Sequence, residues 1–195
     1  MGKIPECPDE LPRLGNAVTR FLASGLLRLS GWEIKGELPN RRQLVVAMAP
    51  HTSNWDFALA MLVMLSIGVK ASWLAKDTIF RWPVKSLLLA LGGVPVNRSA
   101  PEGLLQQLAR WYEQNERMVI GITPEGTRSK TEKWKSGFLR LAKKVDVPVL
   151  LAGLDYKSKT FVLGELYYPG DDTENDMKEI RQYFKRFTGK YPHLA

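Results

Sequence analysis

Apolar residues recur along this chain in two periods, one helical and one extended. Leu14, Val18, Phe21, Leu22, Leu26 and Leu29 recur at helical spacing and predict a helix over residues 12–30. Arg13, Arg20 and Arg28 fall near one another on a different side, so this helix is amphipathic and basic. Such a helix suits a membrane interface, with its arginines on headgroups; the plainer alternative is that its apolar side packs on the domain. Residues 32–37 predict a short edge strand. Residues 43–49 are apolar at nearly every position, as expected of a central strand buried on both faces. A helix over 55–67 follows and stops at Gly68.

The alternation continues. Residues 71–75 predict a strand, 84–91 a short apolar helix after Pro83, and 92–98 a turn, a short strand and a polar exit. Ser99-Ala100-Pro101-Glu102 combines a cap, an early proline and a glutamate three residues on, which starts a helix running to about residue 115. A buried strand is expected over 118–122, a loop over 123–133, a helix over 136–144, and strands over 147–154 and 160–163. The last helix starts at Thr173-x-x-Asp176 and carries Met177, Ile180, Phe184 and Phe187 on one face. Strands alternating with helices predict an α/β fold: a single layered domain with a mostly parallel or mixed central sheet flanked by helices. Residues 1–40 form its N-terminal amphipathic helix and lead-in strand, and residues 41–195 its main body.

Composition narrows the partners. The chain has 195 residues and a formal charge of +8, and its pI is about 9.6. That length suits one domain with a proper core. The charge points to phosphates, whether on nucleic acid, anionic lipid or a polyphosphate cofactor. No nucleic-acid motif is recognisable and the basic residues are spread over several elements, so nucleic acid is not the expected partner. Cys7 is the only cysteine, which rules out an internal disulfide or a cysteine metal site. Residues 1–6 lack a signal-peptide core, and Glu6 breaks the myristoylation pattern. No window reaches the roughly 20 apolar residues of a spanning helix. Association with a membrane is therefore expected to be peripheral.

Three polar clusters carry the candidate chemistry. His51-Thr52-Ser53-Asn54-Trp55-Asp56 sits where the strand over 43–49 hands over to a helix, the carboxyl edge at which ligands bind in open α/β sheets. On one ideal helix residues five apart point roughly 140° away from each other. His51 and Asp56 can therefore meet only if His51 is in the loop and Asp56 in the first helical turn. Asp56 would then orient the imidazole and leave its other nitrogen free to take a proton. Against this, Ser53-x-x-Asp56 is also a helix capping box, which needs no catalytic partner. The second cluster is Pro124-Glu125-Gly126-Thr127-Arg128-Ser129, after the strand over 118–122. Gly126 permits close approach to a ligand, Arg128 offers a planar fork for phosphate, and Glu125 could accept from a polyol or orient Arg128. The third is Arg98, a second phosphate candidate; alone, it reads more readily as a solvated residue heading a helix.

Taken in order, these blocks resemble the glycerolipid acyltransferase family, whose type member acylates 1-acylglycerol-3-phosphate (lysophosphatidic acid). The matching features are His51 and Asp56 separated by four residues, Gly93 followed by Arg98, the whole of Pro124 to Ser129, and the apolar strand Val147-Pro148-Val149-Leu150-Leu151. Ala75-Lys76 ahead of Pro83 and Lys135-Ser136-Gly137-Phe138 also fit, and the likeness spans residues 44–155. Ala152-Gly153, Thr123 and Ser86 depart from the family pattern and bear on the choice of acceptor. The resemblance implies that residues 41–195 are an acyltransferase catalytic domain. It implies His51 as base, Asp56 as its orienter, and Arg98 and Arg128 on an acceptor phosphate, with Glu125, Gly126 and Thr127 completing that pocket. The donor would be acyl-CoA or acyl-carrier protein and the acceptor a lysophospholipid, with no metal or cofactor. The enzyme would lie on the cytoplasmic face of a membrane, held by residues 12–30. Rival readings are a different lyso-lipid or lipid amine as acceptor, or a catalytically idle lipid-binding module of the same fold.

Overall fold

The computed structural model describes residues 3–96 and 101–194. Among the described residues, seven strands form one sheet: β1 (Glu33–Lys35), β2 (Gln43–Ala49), β3 (Ser72–Lys76), β4 (Gly93–Val96), β5 (Met118–Ile122), β6 (Val149–Asp155) and β7 (Thr160–Tyr167). Their order across the sheet is β1-β7-β6-β2-β5-β3-β4. The five strands β6, β2, β5, β3 and β4 run parallel. β7 returns antiparallel to β6, and β1 lies parallel to β7. This is the single layered α/β domain with a mixed sheet that the sequence predicts.

The reversal at β7 has a local cause. Only four residues separate β6 from β7, too few for a crossover, so the chain must turn back as a hairpin. The Asp155 carboxylate holds that turn, accepting from the Ser158 amide at 3.3 Å and its hydroxyl at 2.5 Å. Lys159 closes it at φ 50°.

Two apolar layers sandwich the sheet. α1 (Ala17–Leu29) and α2 (Asn54–Ile67) cover one face; α4 (Pro101–Gln114), α5 (Gly137–Lys144) and α6 (Thr173–Phe184) cover the other. β2 feeds both layers, as a central strand must: Val45, Ala47 and Ala49 face α4–α6, and Leu44 faces α2. α2 is apolar on all sides because it lies between the sheet and α1. α3 (Lys85–Ala90) stands beside β4 and buries none of its residues.

α1 is shorter than the predicted helix over 12–30. Asn16 caps it: its side chain accepts from the Thr19 amide at 3.0 Å, and its own amide donates to the Thr19 hydroxyl at 2.7 Å. Leu14 is left outside, its amide bonded to the Gly68 carbonyl at 2.9 Å. Only Ala23 and Leu27 of α1 are buried. Val18, Phe21, Leu22, Leu26 and Leu29, the predicted apolar side, are exposed, Leu29 to 87%. That side does not pack on the domain. Among the described residues, no helix is long and apolar enough to cross a membrane.

Candidate active site

Five parallel strands deliver their carboxyl ends to one edge of the sheet, and the candidate residues follow those ends. His51 follows β2, Glu125 follows β5, and Tyr156 follows β6. β5 and β6 are the two neighbours of β2, so the three residues converge.

His51 lies in the loop and Asp56 in the first turn of α2, as their spacing requires. His51 Nδ1 is 3.2 Å from Asp56 Oδ2. The capping box is present as well: Ser53 caps α2, and Asp56 Oδ2 accepts from the Thr52 and Ser53 amides at 2.8 Å each. The two readings of Asp56 are not alternatives. One carboxylate fixes both the helix start and the imidazole. Its other oxygen, Oδ1, accepts from the Tyr156 hydroxyl at 2.6 Å. Asp56 is fully buried, which alone would push its carboxyl up. The bonds from His51, Tyr156, Ser53 and Thr52 outweigh that burial and hold the carboxyl below the usual range.

Glu125 is placed differently from the expectation. It is buried, and both its carboxylate oxygens accept from the His51 backbone amide at 3.0 Å. It therefore clamps the main chain under the imidazole instead of completing a pocket with Arg128. Burial pushes its carboxyl up to about 7, against the pull of the His51 amide. Arg128 is exposed and bonds the Asn54 side chain, which joins the second cluster to the first. Thr127 is exposed and orders its own loop, accepting from the Ser129 amide at 3.2 Å. Gly126 has φ 64°, and the open side of its backbone is covered by the Lys135 side chain. Arg98 lies outside the described residues.

A cavity of about 1080 Å³ joins these parts. His51, Gly126, Thr127, Arg128 and Lys135 line it, as do apolar residues of α2 and β2 including Met48, Met61 and Met64. The site thus sets an oriented imidazole and the Arg128 and Lys135 cations on one largely apolar space.

Two contributors were not legible as site residues in the sequence. Tyr156 lies 100 residues from Asp56, and only the β6–β2 pairing brings them together. The C-terminal segment after α6 also buttresses the loop. The Thr188 carbonyl accepts from the Tyr156 amide at 2.8 Å, and the Tyr191 amide donates to the Thr52 hydroxyl at 3.2 Å. Lys190 lies over the Trp55 ring at 4.8 Å. Lys135 stands in a run that fits the family pattern; its place over Gly126 comes from the return of the loop, where its amide donates to the Pro124 carbonyl at 2.7 Å.

A family model described as Acyltransferase matches residues 32–152, which hold His51, Asp56, Glu125 and Arg128. The chain belongs to the acyltransferase family. It is an acyltransferase by that membership, and the idle-module reading recedes. The fold agrees. The crystal structure of the 1-acyl-sn-glycerophosphate (LPA) acyltransferase PlsC from Thermotoga maritima superimposes with a TM-score of 0.61 at 18% identity. That match covers 87% of this chain and 76% of the other. No curated protein sequence matches the chain.

The two buried carboxyls titrate with opposite consequences. Tyr156→Phe leaves Asp56 Oδ1 without a partner and is expected to cost about 1–3 kcal/mol at neutral pH. Because the carboxyl of Asp56 is held down, its contribution is present above the ordinary value of 3.8 and lost as pH falls through the folded value. The deficit of Tyr156→Phe should therefore shrink in acid, as read by urea unfolding from pH 7 downward.

For Glu125 the sign is reversed. Its carboxyl is raised from 4.5 to about 7, so stability should fall as pH rises between those values, by about 3 kcal/mol at most. Glu125→Gln keeps an acceptor for the His51 amide and should flatten that part of the pH–stability curve. An unchanged slope in the variant would assign the titration to another group.

Proposed function

We propose that the protein transfers a fatty acyl group from acyl-CoA or acyl-carrier protein to the hydroxyl of a lysophospholipid, most simply 1-acylglycerol-3-phosphate. The observation that carries this reading is the shared cavity, in which an imidazole oriented by a buried carboxylate faces the same space as Arg128 and Lys135. With Nδ1 engaged by Asp56, the free nitrogen of His51 takes the proton of the acceptor hydroxyl. The oxygen attacks the thioester carbonyl, a C–O bond forms, the C–S bond breaks, and the departing thiolate receives the proton. Proton removal of this kind is worth roughly 10²–10⁴ in rate, and positioning supplies much of the rest.

Arg128 and Lys135 hold the acceptor phosphate, with Arg98 from the third sequence cluster. Membership of the family and the fold shared with the Thermotoga maritima enzyme support this acceptor. The apolar lining under α2 takes the acyl chain. α1 rests on a bilayer, with its exposed Phe21, Leu22 and Leu29 in the interface and its arginines on headgroups. The enzyme then works as a peripheral protein on the cytoplasmic face, in phospholipid synthesis.

The deciding assay follows thiol release from palmitoyl-CoA, and from palmitoyl carrier protein, with lysophosphatidic acid beside other lyso-lipids and lipid amines. Transfer to lysophosphatidic acid is expected, reduced at least about 100-fold in His51→Ala. Arg128→Ala and Lys135→Ala should each raise KM for that acceptor by about tenfold and change little for a phosphate-free one. Preference for a phosphate-free acceptor would keep the mechanism and replace the substrate.

Chain length gives a separate test. A Cβ built on Gly121 of β5 would meet nothing closer than the Ser72 carbonyl oxygen at 3.9 Å, and Gly121 lines the cavity. Gly121→Leu should fill acyl space without strain. Turnover of palmitoyl donor should then fall roughly tenfold relative to a medium-chain donor. Equal loss for both donors would place the acyl chain elsewhere.

A further inference from the structure

The segment from β3 to β4 leaves an unusual surface. Between Ile79 and Leu89 five large apolar side chains are exposed: Ile79, Trp82, Val84, Leu87 and Leu89. Trp82 is 92% exposed. A soluble surface has little reason to hold so much apolar area in one short stretch.

The segment is nonetheless firmly seated. Phe80 is buried and stacks on Trp73 at 6.1 Å, and Trp73 meets Phe57 of α2 edge-on at 4.5 Å. The Trp73 indole donates to the Leu91 carbonyl at 2.9 Å, tying down the far end of α3. The exposed side chains are thus displayed on an anchored frame, one residue beyond Asp56 through Phe57.

Charge selects the occupant. Residues 76–91 carry Lys76, Arg81 and Lys85 against one acid, Asp77. Among the described residues none of the three cations makes an ion pair. An exposed tryptophan and leucines ringed by lysine and arginine suit an anionic lipid interface, where indole sits at headgroup depth and the cations meet phosphate. Lys76 and Ile79 also line the cavity that holds His51, so this surface borders an entrance to the site.

We propose that residues 79–89 form a second membrane-docking surface, separate from α1, that seats the cavity mouth on anionic bilayer. This rests on the reading of the protein as a peripheral membrane acyltransferase. Acyl chains then pass between bilayer and cavity without crossing water, and α1 and α3 together fix the orientation of the enzyme.

The test uses the full chain and vesicles of phosphatidylcholine with and without phosphatidylglycerol. Trp82→Ser with Leu87→Ser removes two exposed side chains that touch neither the cavity nor the core, and circular dichroism checks the fold. Affinity for the anionic vesicles should fall at least about tenfold, with turnover of detergent-dispersed substrates unchanged. Arg81→Glu with Lys85→Glu should weaken binding to the anionic vesicles selectively. Vesicle binding as tight as wild type in the Trp82/Leu87 variant would overturn the proposal. So would a wild-type dimer that the same variant dissociates in sedimentation velocity, since a second copy would then cover the surface. Wild-type protein that binds no vesicle yet turns over detergent-dispersed substrate would remove both docking surfaces and leave the acyl-transfer reading standing.

Discussion

A fully buried carboxylate has to be surrounded by donors or it will not stay ionised, and Asp56 meets that demand from three parts of the chain. Two donors are the Thr52 and Ser53 amides of its own helix start, one is His51 in the loop, and one is the Tyr156 hydroxyl beyond β6. Satisfying the charge therefore also fixes the turn after β2, the rotamer of the imidazole and the approach of the β6–β7 hairpin. Glu125 adds the complementary constraint from β5 by holding the His51 amide. The imidazole is gripped by Asp56 and its main chain by Glu125. Removing either acid would loosen the same loop in a different way.

Sequence patterns made the first of these grips readable and hid the second. His51 and Asp56 are close in the chain, so helical geometry alone limits how they can meet. The family blocks then located Glu125 and Arg128 at a neighbouring strand end. The partner of Glu125 is a backbone amide, and an amide has no side-chain signature to pair with. Tyr156 escaped for a related reason: a lone tyrosine at a strand end has no partner until strand order is known. The strand pattern gave the layered sheet, and the short connection Tyr156-Lys157-Ser158-Lys159 requires the antiparallel return of β7 although it contains no glycine or Asn-Gly signal. A lysine at φ 50° does that work, supported by Asp155.

α1 shows what periodicity leaves open. Its spacing identified an amphipathic helix, yet the side that packs on α2 is a narrow line of Ala23 and Leu27. The larger apolar residues turn outward. Small residues allow close helix approach, so contact with α2 can be made by the stripe that contributes least to the apparent pattern. α3 carries the same lesson further, since its leucines read as a short apolar helix and the fold buries none of its residues.

The arrangement also constrains how an acyl group can travel. A covalent acyl-enzyme needs a nucleophile beside the base. The two hydroxyls next to His51 in sequence are already committed to structure: Ser53 accepts from the Trp55 amide at the helix cap, and Thr52 accepts from the Tyr191 amide. Cys7 is buried among Leu11, Leu27 and other residues of the α1–α2 layer. Burial pushes its thiol up despite Arg13 and Arg20, so it is a poor thiolate. In the proposed function the oriented imidazole has the acceptor's own hydroxyl as its partner. Direct attack on a thioester is consistent with the way these neighbouring hydroxyls are used, and it requires donor and acceptor to occupy the cavity together. A cavity lined by His51, by Arg128 and Lys135 of the cationic loop and by apolar residues of α2 is suited to that double occupancy.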